Sequence, residues 1–144
     1  MTYRKPFNRK TYDECDPRAK AGLLKIHKAL QHTIVNEKET MGPDLVTEKD
    51  GITYYSEGEI KLSWKTDEWN KTWKDVRIPG RKQRLVENYD NLTFYVFNRA
   101  ANYCWKVESE DLTNDMLQIP DEWWNKNKEE FYVVPVEKAT LMKV

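Results

Sequence analysis

Pro43-Asp44-Leu45-Val46-Thr47-Glu48-Lys49-Asp50-Gly51-Ile52-Thr53-Tyr54-Tyr55-Ser56-Glu57-Gly58-Glu59-Ile60-Lys61 is the stretch on which the fold of this 144-residue chain turns. Asp-Gly flanked by strand-like runs is a strong two-residue hairpin signal. One strand begins at Asp44 and the return strand runs from Ile52 to Trp64. Alternation puts Ile52, Tyr54, Ser56, Gly58, Ile60, Leu62 and Trp64 on one face, and Thr53, Tyr55, Glu57, Glu59, Lys61 and Ser63 on the other. Two carboxylates and an ammonium therefore share one face of one strand.

Upstream, Pro17 to Asn36 reads as a helix, with Asp16 as N-cap, Pro17 in the first turn, and Leu23, Ile26, Leu30 and Ile34 spaced by three and four. Its other face carries Lys20, Lys25, Lys28 and Gln31, and Met41-Gly42-Pro43 breaks the helix before the hairpin. Downstream, residues 65–78 form a polar connection rich in Lys and Trp. Pro79 opens a second helix over Gly80 to Asn88, and Leu92 to Phe97 is the clearest strand, expected to be central. Asn98 to Ala101 turns it back into Asn102 to Val107. Glu108 to Glu130 reads as loop or short helix, and Phe131 to Val136 as a last strand that Pro135 confines to an edge. The order is that of an α/β (α+β) layer, a mixed central sheet flanked by helices, in a single domain over residues 1–144.

Only 39% of the residues are apolar, but six Trp, eight Tyr and four Phe supply bulky core material, so the chain is expected to fold. Apolar runs reach only four residues, as in Phe131 to Val134, far short of the roughly 18 that span a bilayer. The basic start has no apolar segment behind it, and a cytoplasmic protein with no membrane partner is expected. Cys15 and Cys104 lie far apart without a CxxC neighbour and are expected as reduced thiols. The 24 basic and 24 acidic side chains cancel, yet they are unevenly distributed: residues 1–36 carry +5, 37–60 carry −5, 61–84 carry +5 and 107–130 carry −6. One such block alone reads as a solvated face, but an acidic block between two basic ones asks for a further reason.

Pro43-Asp44, fourteen residues, then Glu59-Ile60-Lys61 resembles the signature of the PD-(D/E)xK nuclease superfamily. The triplet is the only Asp/Glu-x-Lys in the chain, whereas Pro120-Asp121 follows it and has the wrong order. The likeness covers residues 16 to 107, leaving 108–144 as a C-terminal extension. Through Val76-Arg77-Ile78-Pro79-Gly80-Arg81-Lys82 and the Phe-rich strand ending in Asn98, it is similar to small phage-type members. The resemblance implies a restriction-endonuclease-like αβββαβ core and Mg²⁺, with Mn²⁺ as a substitute. It further implies metal binding by Asp44 and Glu59, a water positioned or activated by Lys61, products with 5′-phosphate and 3′-hydroxyl ends, and host cytoplasm as the location of a viral member.

The residues themselves are compatible with that chemistry. Mg²⁺ takes one or two carboxylates and keeps water and phosphate oxygens at its other positions, and Asp44 and Glu59, expected to face each other across the hairpin, could supply that pair. Glu57 shares the face of Glu59 and is a further candidate metal ligand, as are Asp16, Glu37 and Glu39 near the first helix. Lys20, Lys25 and Lys28, with Arg77, Arg81, Lys82 and Arg84, are candidate phosphate contacts. Trp64, Trp69 and Trp73 read as core or loop anchors first and as base-stacking platforms second. His27 and His32, five apart on different faces of the expected helix, are not read as a metal pair.

The expectation is a Mg²⁺-dependent DNA endonuclease, acting as a symmetric homodimer if it cuts both strands. A catalytically inactive nucleic-acid-binding or scaffold protein of the same fold is the alternative. A carbohydrate-binding module with Trp platforms is a third and weaker one.

Overall fold

The computed structural model describes residues 9–36 and 42–144, with side chains described from Pro17 onward in the first helix. In order the chain forms α1 (Arg9–Ala29), β1 (Thr33–Asn36), β2 (Leu45–Lys49), β3 (Ile52–Ile60) and β4 (Asp75–Pro79). A single 3₁₀ turn, Gly80–Lys82, then leads into α2 (Gln83–Asn88), followed by β5 (Leu92–Phe97), β6 (Tyr103–Glu108), β7 (Leu117–Gln118), β8 (Phe131–Pro135) and β9 (Thr140–Lys143). This is a mixed α/β architecture with two helices and a six-stranded sheet in the order β1-β2-β3-β5-β6-β9. The remaining strands make a small sheet, β4-β8-β7.

Asp50 and Gly51 turn the hairpin with φ of 53° and 78°, the pair of positive angles that a type I′ turn requires. Their turn sets the register Leu45↔Ser56 through Lys49↔Ile52. β3 then runs parallel to β5, with Glu59 opposite Val96, and every other pairing in the large sheet is antiparallel. All six residues of β5 are buried, as a strand covered on both faces must be. Tyr95 and Phe97 pack with Ala19, Leu23 and Ile26 of α1. Leu92, Phe94 and Val96 pack on the opposite side with Val76, Ile78, Leu85, Tyr132 and Val134. The sheet is thus a middle layer, with α1 on one face and α2 and the small sheet on the other.

Three expectations about elements are corrected. The first helix begins at Arg9, so Asp16 is not its cap and Pro17 lies inside it, removing one ladder bond without ending the helix. It stops at Ala29, because Gln31 adopts φ 60° and the Gln31 and His32 N–H groups donate to the Lys28 and His27 carbonyls at 3.1 and 2.9 Å, a Schellman termination without glycine. The reversal also carries His32 back against His27, their Nδ1 atoms 3.0 Å apart, where separate helix faces were expected. Finally, β8 is the middle strand of the small sheet and not an edge; Pro135 is its last residue, where a missing N–H costs the ladder little. Glu37 and Glu39 lie outside the described residues, as do the side chains of Cys15 and Asp16. Cys104 is a free buried thiol, and no described helix is long and apolar enough to cross a membrane.

Candidate functional site

Register places Asp44, one residue before β2, opposite Glu57 of β3 and not opposite Glu59 as expected, because the two-residue turn pairs Leu45 with Ser56. The Asp44 N–H donates to Glu57 Oε2 at 2.7 Å, and the Gly58 N–H donates to Asp44 Oδ2 at 3.0 Å. The two carboxylates are therefore locked together by backbone groups. Glycine between Glu57 and Glu59 has a packing reason: a Cβ at Gly58 would lie 3.3 Å from Ala19 and Leu23, so α1 sits directly behind. The strand thereby turns both carboxylates to the face away from α1.

The basic partner comes from the turn before α2. Lys82 Nζ lies 2.5 Å from Glu57 Oε1 and 3.3 Å from Glu59 Oε1. Arg81 approaches Glu59 at 3.5 Å and Glu129 at 3.9 Å, and the Lys20 ammonium donates to the Asp44 carbonyl oxygen. Glu57 is 2% exposed. Burial pushes its carboxyl up to about 7, Lys82 opposes the rise and Asp44 adds to it. Burial alone would lower Lys82, but Glu59, Glu57 and Asp44 together raise it above the ordinary lysine value. The site gathers three carboxylates, Glu57 among them out of water, around the Lys82 ammonium, with Lys20 and Arg81 at its margins.

Among the described residues, no three His, Cys, Asp or Glu side chains form a ready-made metal cage. Mg²⁺ does not need one, because one or two carboxylates and retained waters suffice. Asp44 and Glu57, hard oxygen donors side by side with Glu57 raised in pKa, fit such an ion, which would relieve the repulsion between them.

Lys61 stands apart from this group. β3 ends at Ile60, and the Lys61 ammonium lies 5.1 Å from the centre of the Trp73 ring, with Arg77, Asp75 and Glu122 as the charges acting on it. Burial, then Arg77, lowers its pKa. Arg77 itself bonds Asp75 at 2.9 Å and Glu122 at 2.6 Å. Arg84 is exposed on α2. Of the candidate phosphate contacts, Arg77, Arg81 and Lys82 are thus engaged with carboxylates. Trp64 is buried in the core, whereas Trp69 and Trp73 are half-buried.

Sequence reasoning missed two things here. Lys82 entered it only as a phosphate contact, and the pairing with Glu57 depends on a crossover that no local pattern encodes. It also read Trp123-Trp124 as part of an acidic loop, although two adjacent exposed tryptophans were a visible signal. Comparison with protein-family models, with curated proteins and with solved structures finds no match.

Proposed function

We propose that the protein is a metal-dependent phosphodiesterase acting on DNA, with Asp44 and Glu57 as its metal carboxylates and Glu59 and Lys82 completing the centre. The observation that carries this reading is the backbone-locked pair Asp44 and Glu57 beside the Lys82 ammonium. The large sheet is compatible with it: α1, the antiparallel strands β1 to β3 and, after α2, β5 parallel to β3 resemble an αβββαβ core once β4, which enters the small sheet between β3 and α2, is set aside.

Mg²⁺ held by this pair would supply positive charge at a phosphoryl oxygen and lower the pKa of a bound water. The chain's own contribution is positional. Glu59 and Glu57 hold Lys82 with its charge toward the carboxylate pair, where it offsets negative charge developing on phosphorus oxygens. Burial of Glu57 keeps competing water away from that charge. Lys82, and not the Lys61 of the motif, is thereby the ammonium at this centre.

Incubation with single-stranded, duplex and branched DNA tests the reading. Cleavage is expected with Mg²⁺ or Mn²⁺, and Asp44→Asn, Glu57→Gln and Lys82→Ala should each lose about 10²-fold or more in rate. Lys61→Ala should lose less than Lys82→Ala. A wild-type protein inert on all three substrates with both metals overturns the proposal. That result would favour the fold-retaining binding protein, a reading supported by the ion pairs of Lys82 with Glu57 and Glu59.

A further inference from the structure

A cleft of about 800 Å³ opens beside Glu59, on the sheet face that carries the carboxylates. Its walls are aromatic and come from two parts of the chain far apart in sequence: Trp69 and Trp73 from the connection between β3 and β4, and Trp123, Trp124 and Phe131 from the segment leading into β8. Trp73 is braced from behind. Its ring packs edge-on against Trp69 with centres 5.0 Å apart, and Trp69 in turn packs on Trp64 and Trp105, which are buried. Trp124 packs edge-on against Phe131 at 5.9 Å and its indole N–H donates to Glu122. Trp73 is therefore a rigid wall, and Trp124 is fixed while still 41% exposed.

Cations lie against these rings. Lys61 Nζ is 5.1 Å from the Trp73 centre and the Arg77 guanidinium is 5.8 Å from that of Trp124. Arg77 is committed to Asp75 and Glu122, whereas Lys61 makes no ion pair among the described residues. The lining carries three basic residues, Lys61, Lys74 and Arg77, and three acidic ones, Glu59, Asp75 and Glu122. A polyanion is not attracted there by net charge. What the cleft offers is flat aromatic surface with two ammoniums outside the ion pairs of the described residues, Lys61 and Lys74, of which Lys61 lies against the Trp73 ring; this suits a planar ring carrying a phosphate. Its volume lies in the roughly 300–1,000 Å³ range of small-ligand pockets, room for one or two nucleotides and far too small for a duplex.

We propose that this cleft takes an unpaired nucleotide of the DNA substrate, its base stacked on Trp73 and Trp124 and its phosphate at Lys61, which makes single-stranded DNA or an unpaired tail the substrate class. The inference rests on the phosphodiesterase reading only for its link to cleavage. Base–aromatic stacking is sequence-tolerant, so a run of thymidines is a sufficient probe.

The experiment is binding by the full chain in chelator, read by tryptophan fluorescence and by anisotropy of a labelled oligothymidylate, against a blunt duplex of equal length. Quenching and at least tenfold tighter binding of the single strand are expected. Trp124→Ala and Trp73→Ala should each weaken it by roughly five- to hundredfold. Trp124→Phe, which keeps a stacking ring at an exposed position, should retain most of the affinity, and Lys61→Gln should weaken it without abolishing quenching. Equal binding of both DNA forms, or wild-type affinity in folded Trp124→Ala, overturns the cleft assignment. A protein that binds single strands through these tryptophans but cuts nothing keeps the cleft and removes the phosphodiesterase. One that cuts blunt duplex and ignores single strands does the reverse.

Discussion

Glu57 and His27 sit on opposite faces of the same sheet and pull stability in opposite directions as pH changes. Burial holds the Glu57 carboxyl up at about 7, so from about 4.5 to about 7 the folded protein keeps a proton that the unfolded chain releases, and stability falls as pH rises. Burial, then His32, then Lys106, holds His27 down at about 4. From about 4 to 6.5 the unfolded chain binds the proton that folded His27 refuses, so this contribution rises with pH. The two nearly cancel in the wild type. Glu57→Gln, measured by chemical denaturation in chelator, should be more stable near neutrality and should expose the rising His27 limb, on the order of 2–3 kcal/mol across the window. An unchanged pH profile would contradict the burial of Glu57. The period of two was enough to put Glu57, Glu59 and Lys61 on one face. The Lys61 N–H still donates to the Phe97 carbonyl of β5 at 2.8 Å, but its ammonium reaches along the face to Trp73 and not back to Glu57, a direction that periodicity does not encode.

Among the elements, α1 depends on two missing side chains. Gly58 lets the helix approach β3, and a Cβ at Gly22 would lie 2.7 Å from the ring of Phe97, itself fully buried. Gly→Ala inside a helix ordinarily gains up to about 1 kcal/mol. Here the ring has nowhere to go, and overpacking costs about 1–3 kcal/mol. Gly22→Ala is expected to lower the unfolding midpoint in a thermal melt, and a stabilised variant would show that helix and sheet are not packed this closely. The hairpin and β5 were legible because Asp-Gly and a β-branched, aromatic run act locally. The end of α1 was not, since its left-handed residue is Gln31 and Ile34 continued the helical spacing into what became β1. Neither was the small sheet: two-residue β7 has no period to read, and the short alternation of β4, with Val76 and Ile78 buried, lies at the end of a polar, irregular connection and does not stand out as a strand; both pair with β8.

Across the whole molecule, the charge blocks that alternate along the chain meet in space. Lys82 and Arg81 of the second basic block fold onto Glu57 and Glu59 of the first acidic one, and Arg77 reaches Glu122 of the second. Three cations of the second basic block, Arg77, Arg81 and Lys82, are thus engaged by carboxylates and less available to phosphates. Single-strand affinity should accordingly depend weakly on salt, with a slope of log K against log salt shallower than about −2, as expected for three or fewer phosphate contacts. A slope near −5, measured by anisotropy from low to moderate salt, would mean the ion pairs open to receive DNA. The strand that leads into Lys82, β4, has β8 as its one strand partner among the described residues. During synthesis the hairpin carboxylates and β5 emerge first, and at about 5–20 residues per second several seconds pass before Phe131–Pro135 follows. A nascent chain paused before β8 therefore carries the hairpin carboxylates while β4, which leads into Lys82, lacks that partner, and the proposed phosphodiesterase would be completed only once β8 has been made.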